Sequence, residues 1–133
     1  MGIKQWRGMM LLMSALLILP VNNILNAQLP GKVSRQYKEA VNLYNKGLFS
    51  AAEKEFTELL QRADPTDKAS VSFIESYLTL ITIEMSRPDI DYRVRKLKQD
   101  FPETVKMNEI DLKYGSYYFN TGNFTEALTI LSE

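Results

Sequence analysis

The chain has 133 residues, 45% hydrophobic and 24% charged, with 16 basic side chains balanced by 16 acidic ones. That is the composition of a globular chain with a single core, and it gives neither the charge excess of a disordered segment nor the basic footprint of a nucleic-acid binder. Cysteine and histidine are both absent, which excludes disulfides, thiolate and imidazole metal sites, cysteine nucleophiles and serine–histidine triads, and turns the expectation from catalysis toward binding.

In chain order, Lys4 and Arg7 come first, and residues 9–19 form an apolar run broken only by Ser14. As a helix such a run covers about 16 Å, far short of the ~30 Å hydrocarbon core of a bilayer. Pro20, Asn22 and Asn23 follow, and then Leu25, Asn26 and Ala27. This is the three-part pattern of a secretory signal peptide, so residues 1–27 are expected to be cleaved after Ala27. A small residue is preferred where Leu25 stands. A retained anchor helix reaching Leu29 is the competing reading, opposed by the proline and the two asparagines. The mature chain, 28–133, is expected to be exported to the periplasm or the outer membrane, and without a cysteine it is not a lipoprotein. The signal takes two basic residues with it, leaving 14 basic against 16 acidic side chains.

From Val33 onward apolar residues recur at helical spacing, and six helices are predicted. The first, over 34–46, presents Tyr37, Ala40, Val41 and Tyr44 on one side, and Gly47 ends it. The second begins after Ser50, which with Glu53 makes an S-x-x-E capping box; its apolar face is Ala52, Phe56, Leu59 and Leu60, and Asp64-Pro65 stops it. The third, over 67–86, carries Val71, Phe73, Ile74, Tyr77, Leu78, Ile81 and Met85. Pro88 suits the first turn of the fourth, over 88–100, with Ile90, Val94 and Leu97 inward and Phe101-Pro102 at its end. The fifth spans 105–121 and is closed by Gly122. The sixth starts at Thr125 as cap, with Ala127, Leu128 and Leu131 inward. The connections are short, which predicts antiparallel neighbours.

Two segments repeat. Residues 43–52 and 118–127 both read aromatic or leucine, x, Asn, x, Gly, x, Phe, Ser or Thr, x, Ala once the pair is aligned on Gly47 and Gly122, which lie 75 positions apart (122 minus 47). Two units of about 37 residues with a weaker one between account for the spacing. On these residues the chain resembles the tetratricopeptide repeat (TPR) family, over residues 34–133. Ala40, Leu43, Gly47, Phe49, Ala52, Phe56 and Leu59 match the motif in the first unit, with Pro65 one place late. Gly115, Tyr118, Gly122, Phe124, Ala127 and Leu131 match it in the last. The middle unit is degenerate: Leu78, Ile81, Val94, Leu97 and Pro102 fit, Met85 stands for the turn glycine and Ile90 for the alanine.

The resemblance implies an all-α superhelix of helix-turn-helix pairs, about three units long, the last truncated. It implies that small residues let paired helices approach, Ala40 with Ala52 and Gly115 with Ala127. It also implies a concave groove on the first helix of each unit, where Tyr37, Lys38, Val41, Tyr44, Asn45, Thr79, Lys113, Ser116 and Asn120 are the candidate partner-binding residues. Such a groove suits an extended peptide held by amide hydrogen bonds and aromatic contact. A structural role for Asn45 and Asn120, bonding local backbone near helix ends, competes with this. The lysine and asparagine of the chaperone-tail clamp are absent, since Tyr37 and Val41 stand at those positions.

Arg93, Arg95, Lys96 and Lys98 are interleaved with Asp89, Asp91, Asp100 and Glu103, a solvated helix face with internal pairs rather than an anion site. Glu53/Glu55 and Asp89/Asp91 are two apart and point to different sides of a helix, which makes poor dyads. No phosphate-binding loop occurs. The expectation is a non-catalytic interaction scaffold of the bacterial envelope with a protein or peptide partner, needing no cofactor, metal or nucleic acid. The alternatives are the sensing region of a larger membrane signalling protein or an accessory repeat domain of an envelope enzyme. Apolar Leu128, Ile130 and Leu131 near Glu133 lead to the further expectation that the protein continues with further repeats or another domain and that this piece alone is marginal or self-associates, with association with the envelope or with downstream repeats as a partner expectation.

Overall fold

The computed structural model describes residues 31–132; the expected signal peptide, 1–27, lies outside the described residues. The described residues form six helices: α1 (Gly31–Asn45), α2 (Phe49–Arg62), α3 (Lys68–Glu84), α4 (Ile90–Asp100), α5 (Met107–Asn120) and α6 (Phe124–Leu131). The fold is all-α, with no strand among the described residues. Consecutive helices pair as α1–α2, α3–α4 and α5–α6, and α3 also packs against α2 and α5. None of these helices is long and apolar enough to cross a membrane.

The centre is α3. It is apolar almost all round, as a helix surrounded by neighbours must be, and every side chain from Ser76 to Ile83 is buried. Two of its buried hydroxyls bond to backbone. Ser76 Oγ donates to the Ser72 carbonyl at 2.7 Å and meets Thr104 Oγ1, in the α4–α5 loop, at 2.9 Å. Thr82 Oγ1 donates to the Leu78 carbonyl at 2.9 Å. Satisfied in this way, they cost little in an apolar interior.

Aromatic rings join α1, α2 and α3. Tyr77 of α3 stacks on Phe56 of α2 with centroids 4.7 Å apart and meets Tyr44 of α1 edge-on at 5.2 Å. Phe73 lies 5.1 Å from Tyr37 and 5.2 Å from Tyr77. Further along, Tyr114 and Tyr118 of α5 both donate to Asp91 Oδ1 of α4, at 3.0 and 2.7 Å, and so tie the second hairpin to the third.

The three hairpins turn in the same way. After α1 the amides of Gly47 and Leu48 return to the carbonyls of Tyr44 and Leu43. After α3 those of Ser86 and Arg87 return to Ile83 and Thr82, and after α5 those of Gly122 and Asn123 return to Phe119 and Tyr118. Each is the pair of reversed bonds that closes a helix through one left-handed residue. That residue is Gly47 (φ 74°), Ser86 (φ 49°) and Gly122 (φ 83°). The middle turn is therefore centred on Ser86, one place after the Met85 expected from the motif alignment. A side chain here pays a backbone penalty that glycine does not. Ser86→Gly is expected to stabilise the chain by about 0.5 kcal/mol, and Gly47→Ala or Gly122→Ala to cost about 1 kcal/mol, in urea unfolding. A Cβ at either glycine meets nothing within 4 Å, so the cost is conformational alone.

The same turn explains two departures from the expected helix starts. Leu48 and Asn123, the last residues of the reversal, already serve as first carbonyls of the next helix, accepting from Ala52 N at 2.9 Å and Ala127 N at 3.0 Å. α2 and α6 thus start at Phe49 and Phe124, with no side-chain cap. Ser50 and Thr125 fall inside the helices, and the Ser50–Glu53 capping box does not form. Glu53 instead takes a bidentate pair from Arg87, at 2.5 and 2.6 Å, across the first two hairpins. Pro88 precedes α4 in a turn and is not part of its first helical turn. α3 does carry a side-chain cap, Asp67, which accepts from Ser70 N at 3.1 Å.

Candidate functional site

The first helices of the hairpins, α1, α3 and α5, place most of the candidate residues, and burial divides them. Tyr37, Tyr44 and Thr79 are buried. They belong to the packed interior and offer no side chain to a partner, because the next hairpin closes over the rings of the first and α4 covers Thr79. Val41 is half-buried, and Lys38, Asn45, Ser116 and Asn120 are exposed. Ser116 Oγ donates to the Leu112 carbonyl of its own helix at 2.7 Å. Neither Asn45 nor Asn120 ties its side chain to backbone among the described residues. Their amides remain available to a ligand.

Lys113 of α5 bonds to Glu84 at the end of α3. Glu84 was missed in the sequence. With the middle turn centred on Ser86, it stands two residues before the left-handed position, as Asn45 and Asn120 do in their own hairpins. The row Asn45, Glu84, Asn120 is thus one position repeated, hidden by a one-residue slip in the middle unit. Lys106 and Glu109 at the start of α5 add a second pair at 2.7 Å, with the Lys106 ammonium 4.9 Å from the centroid of the Tyr77 ring. Burial opposes the charge on Lys106, but the Glu109 carboxylate and Tyr77 outweigh it and raise its pKa.

Burial pushes the phenol of Tyr44 up, helped by the Glu109 and Glu84 carboxylates. Burial likewise raises Tyr37, whose hydroxyl finds no partner among the described residues, and Tyr114. Folding favours the neutral phenols, so their stabilisation is whole below the unfolded value of 10.0 and fades as pH rises through the higher folded values. Alkaline titration is expected to show tyrosinate absorbance appearing together with loss of helical circular dichroism. Complete ionisation of all seven tyrosines with the helices intact would contradict this.

A cleft of about 230 Å³ between α3 and α4 is lined by Glu75, Thr79, Tyr92, Arg93, Lys96 and Phe101 among others. Its charges satisfy one another: Arg93 pairs with Glu75 at 3.5 Å and Asp89 at 3.8 Å, and Lys96 with Asp100 at 2.6 Å. The basic cluster is only in part the solvated, internally paired helix face its sequence suggested: Arg93 and Lys98 are half-buried and also pair with other helices, through Glu75 of α3 and Asp111 of α5, and the cleft is smaller than ordinary ligand pockets. No cluster of acidic side chains that could hold a metal occurs among the described residues.

No protein-family model, curated protein or solved structure matches this chain.

Proposed function

We propose that this chain is an exported tetratricopeptide-like scaffold of the bacterial envelope, and that it works without catalysis by binding an extended peptide or protein segment along α1, α3 and α5. The observation that carries this reading is the repeated row Asn45, Glu84, Asn120. Three helices side by side present hydrogen-bonding groups at one position, flanked by Lys38 and Lys113, which also occupy equivalent positions. Side-chain amides at such intervals pair with the backbone of an extended segment, and the lysines favour acidic side chains in it. Tyr37 and Tyr44 act beneath this surface, as its support, while Thr79 lies on the α4 side of α3. The residues 1–27 supply the export signal in this reading.

A photo-crosslinking amino acid at Asn45 or Asn120 tests the face. In the native envelope it is expected to capture a discrete partner, while the same group at Tyr92, on α4, captures none. Equal capture from both faces, or capture from Tyr92 alone, would remove the assignment. The mature protein is expected to begin at Gln28 on N-terminal sequencing, and retention of Met1 would refute cleavage.

A further inference from the structure

The cleft between α3 and α4 is lined wholly by the second hairpin, and Thr79, shut off from the α1–α3–α5 row, borders it from α3. Thr79 is 1% exposed. On the same helix Ser76 and Thr82 donate their hydroxyls to the carbonyls four residues back. Thr79 Oγ1 does not, and it bonds to no other group among the described residues. Nor is it sealed in, as the unpartnered Tyr37 hydroxyl is. The small surface that Thr79 keeps is therefore its hydroxyl, and that hydroxyl opens on the cleft. A buried hydroxyl without a protein partner is unfavourable unless a group entering from outside completes it.

The charges select what enters. Three carboxylates, Glu75, Asp89 and Asp100, stand against two cations, Arg93 and Lys96, which leaves one negative charge (3 minus 2). Asp100 holds Lys96 at 2.6 Å. Arg93 is divided between Glu75 at 3.5 Å and Asp89 at 3.8 Å, both longer than the roughly 2.7–2.9 Å of a close charge-assisted bond. An anion would have to draw both cations from their carboxylates. A cation instead finds acceptors with capacity to spare in Glu75, Asp89 and the Thr79 hydroxyl, and the rings of Tyr92 and Phe101 beside them attract positive charge. The space, about 230 Å³, takes a charged head on a short stem rather than a drug-sized molecule. Of the large apolar side chains exposed among the described residues, Tyr92 alone lies at this cleft, so a protein surface would find no apolar centre here.

We infer that the α3–α4 cleft binds a small free organic cation, a primary ammonium or guanidinium on a short alkyl stem, with Glu75 and Asp89 as counter-charges and the Thr79 hydroxyl as hydrogen-bond acceptor. The site is separate from the α1–α3–α5 face and does not depend on what binds there.

Butylammonium and butylguanidinium are the probes, titrated into the 133-residue chain and followed by NMR at the Thr79 and Tyr92 amides. Saturable binding of one or both is expected. Glu75→Gln and Thr79→Val should each weaken it about tenfold, the loss of one hydrogen bond to a charged group. Glu58→Gln, on α2 and away from the cleft, should leave it unchanged. Thr79→Val keeps the shape of the side chain and removes an unpaired hydroxyl, so its Tm is expected to hold or rise, which separates lost binding from a loosened core. A lower Tm would show the hydroxyl to be satisfied within the protein and would overturn the inference. So would absence of saturation, tighter binding of acetate than of butylammonium, or binding indifferent to both cleft substitutions. The blocked tripeptide acetyl-Gly-Lys-Gly-amide, whose side chain carries the same head and stem, is expected to bind more weakly. Equal binding would make the occupant a protein side chain and end the assignment to a free molecule.

Discussion

Phe56→Ala is expected to destabilise the chain by about 3–5 kcal/mol, the cost of an emptied aromatic site in a packed core. Phe56 is fully buried and belongs to the first hairpin, but rings of both hairpins pack on it. It stacks on Tyr77 at 4.7 Å and receives the edge of Tyr37 at 6.0 Å. Removing its ring also strips Tyr77 of a partner, so the loss reaches from α2 into α3. For a domain of about a hundred residues, whose whole stability is of the order of 5–15 kcal/mol, such a change leaves little margin. The last hairpin supplies a control. Leu131 stands at the equivalent position with half its surface in solvent, so Leu131→Ala should cost about 1 kcal/mol or less. Urea unfolding of both variants checks the contrast, and equal losses would show that the two hairpins are packed alike after all.

Ala52→Leu is expected to cost about 1–3 kcal/mol through overpacking, with Ala51→Leu beside it close to neutral. Ala52 has no exposed surface and Ala51 is exposed, although the two are neighbours on the same helix and identical in chemistry. Ala40, opposite in the first hairpin, is likewise fully buried. The three extra heavy atoms of leucine at such a site must displace α1 or α2, since close-packed interiors have no void to receive them. Thermal unfolding of the two variants separates overpacking from a change in helix propensity, because alanine to leucine alters propensity little and equally at both sites.

Much of the architecture was legible because its determinants are local. Apolar residues at helical spacing marked six helices, and the bounds differ from the expected ones by a few residues. Gly47 and Gly122 announced their turns because a left-handed residue strongly favours glycine. Ser86 gave no such signal. It adopts the same backbone at a cost, held by reversed bonds to Ile83 and Thr82, and nothing in its identity advertises this. The slip it caused ran through the middle unit, named Thr79 where the turn-based register has Leu80, itself fully buried, and concealed Glu84. The capping box at Ser50 failed for a related reason: the turn before it had already provided the first carbonyl of α2, and Glu53 found a stronger partner in Arg87. Gly115 also has a different use from the one expected. A Cβ there would lie 2.6 Å from Leu131, so the missing side chain makes room for a leucine of α6.

The candidate binding residues were legible only as positions. Lys38, Asn45, Lys113, Ser116 and Asn120 were placed on their helices correctly, but the pairing of Lys113 with Glu84 and the arrangement of Lys106 over Tyr77 join residues 29 positions apart in each case. No periodicity within one helix reports such a meeting.

The residues alone specified helix type, helix number and the two glycine turns, because hydrogen bonding along a helix and the φ preference of glycine act over a few neighbours. Which rings would be inside was settled by assembly. Tyr44 and Phe119 occupy the same place in the same kind of hairpin, yet one is buried and one exposed. The difference is Tyr77, brought against Tyr44 by the packing of the second hairpin on the first. Burial depends on what a neighbouring element brings to a surface, and that information lies dozens of residues away.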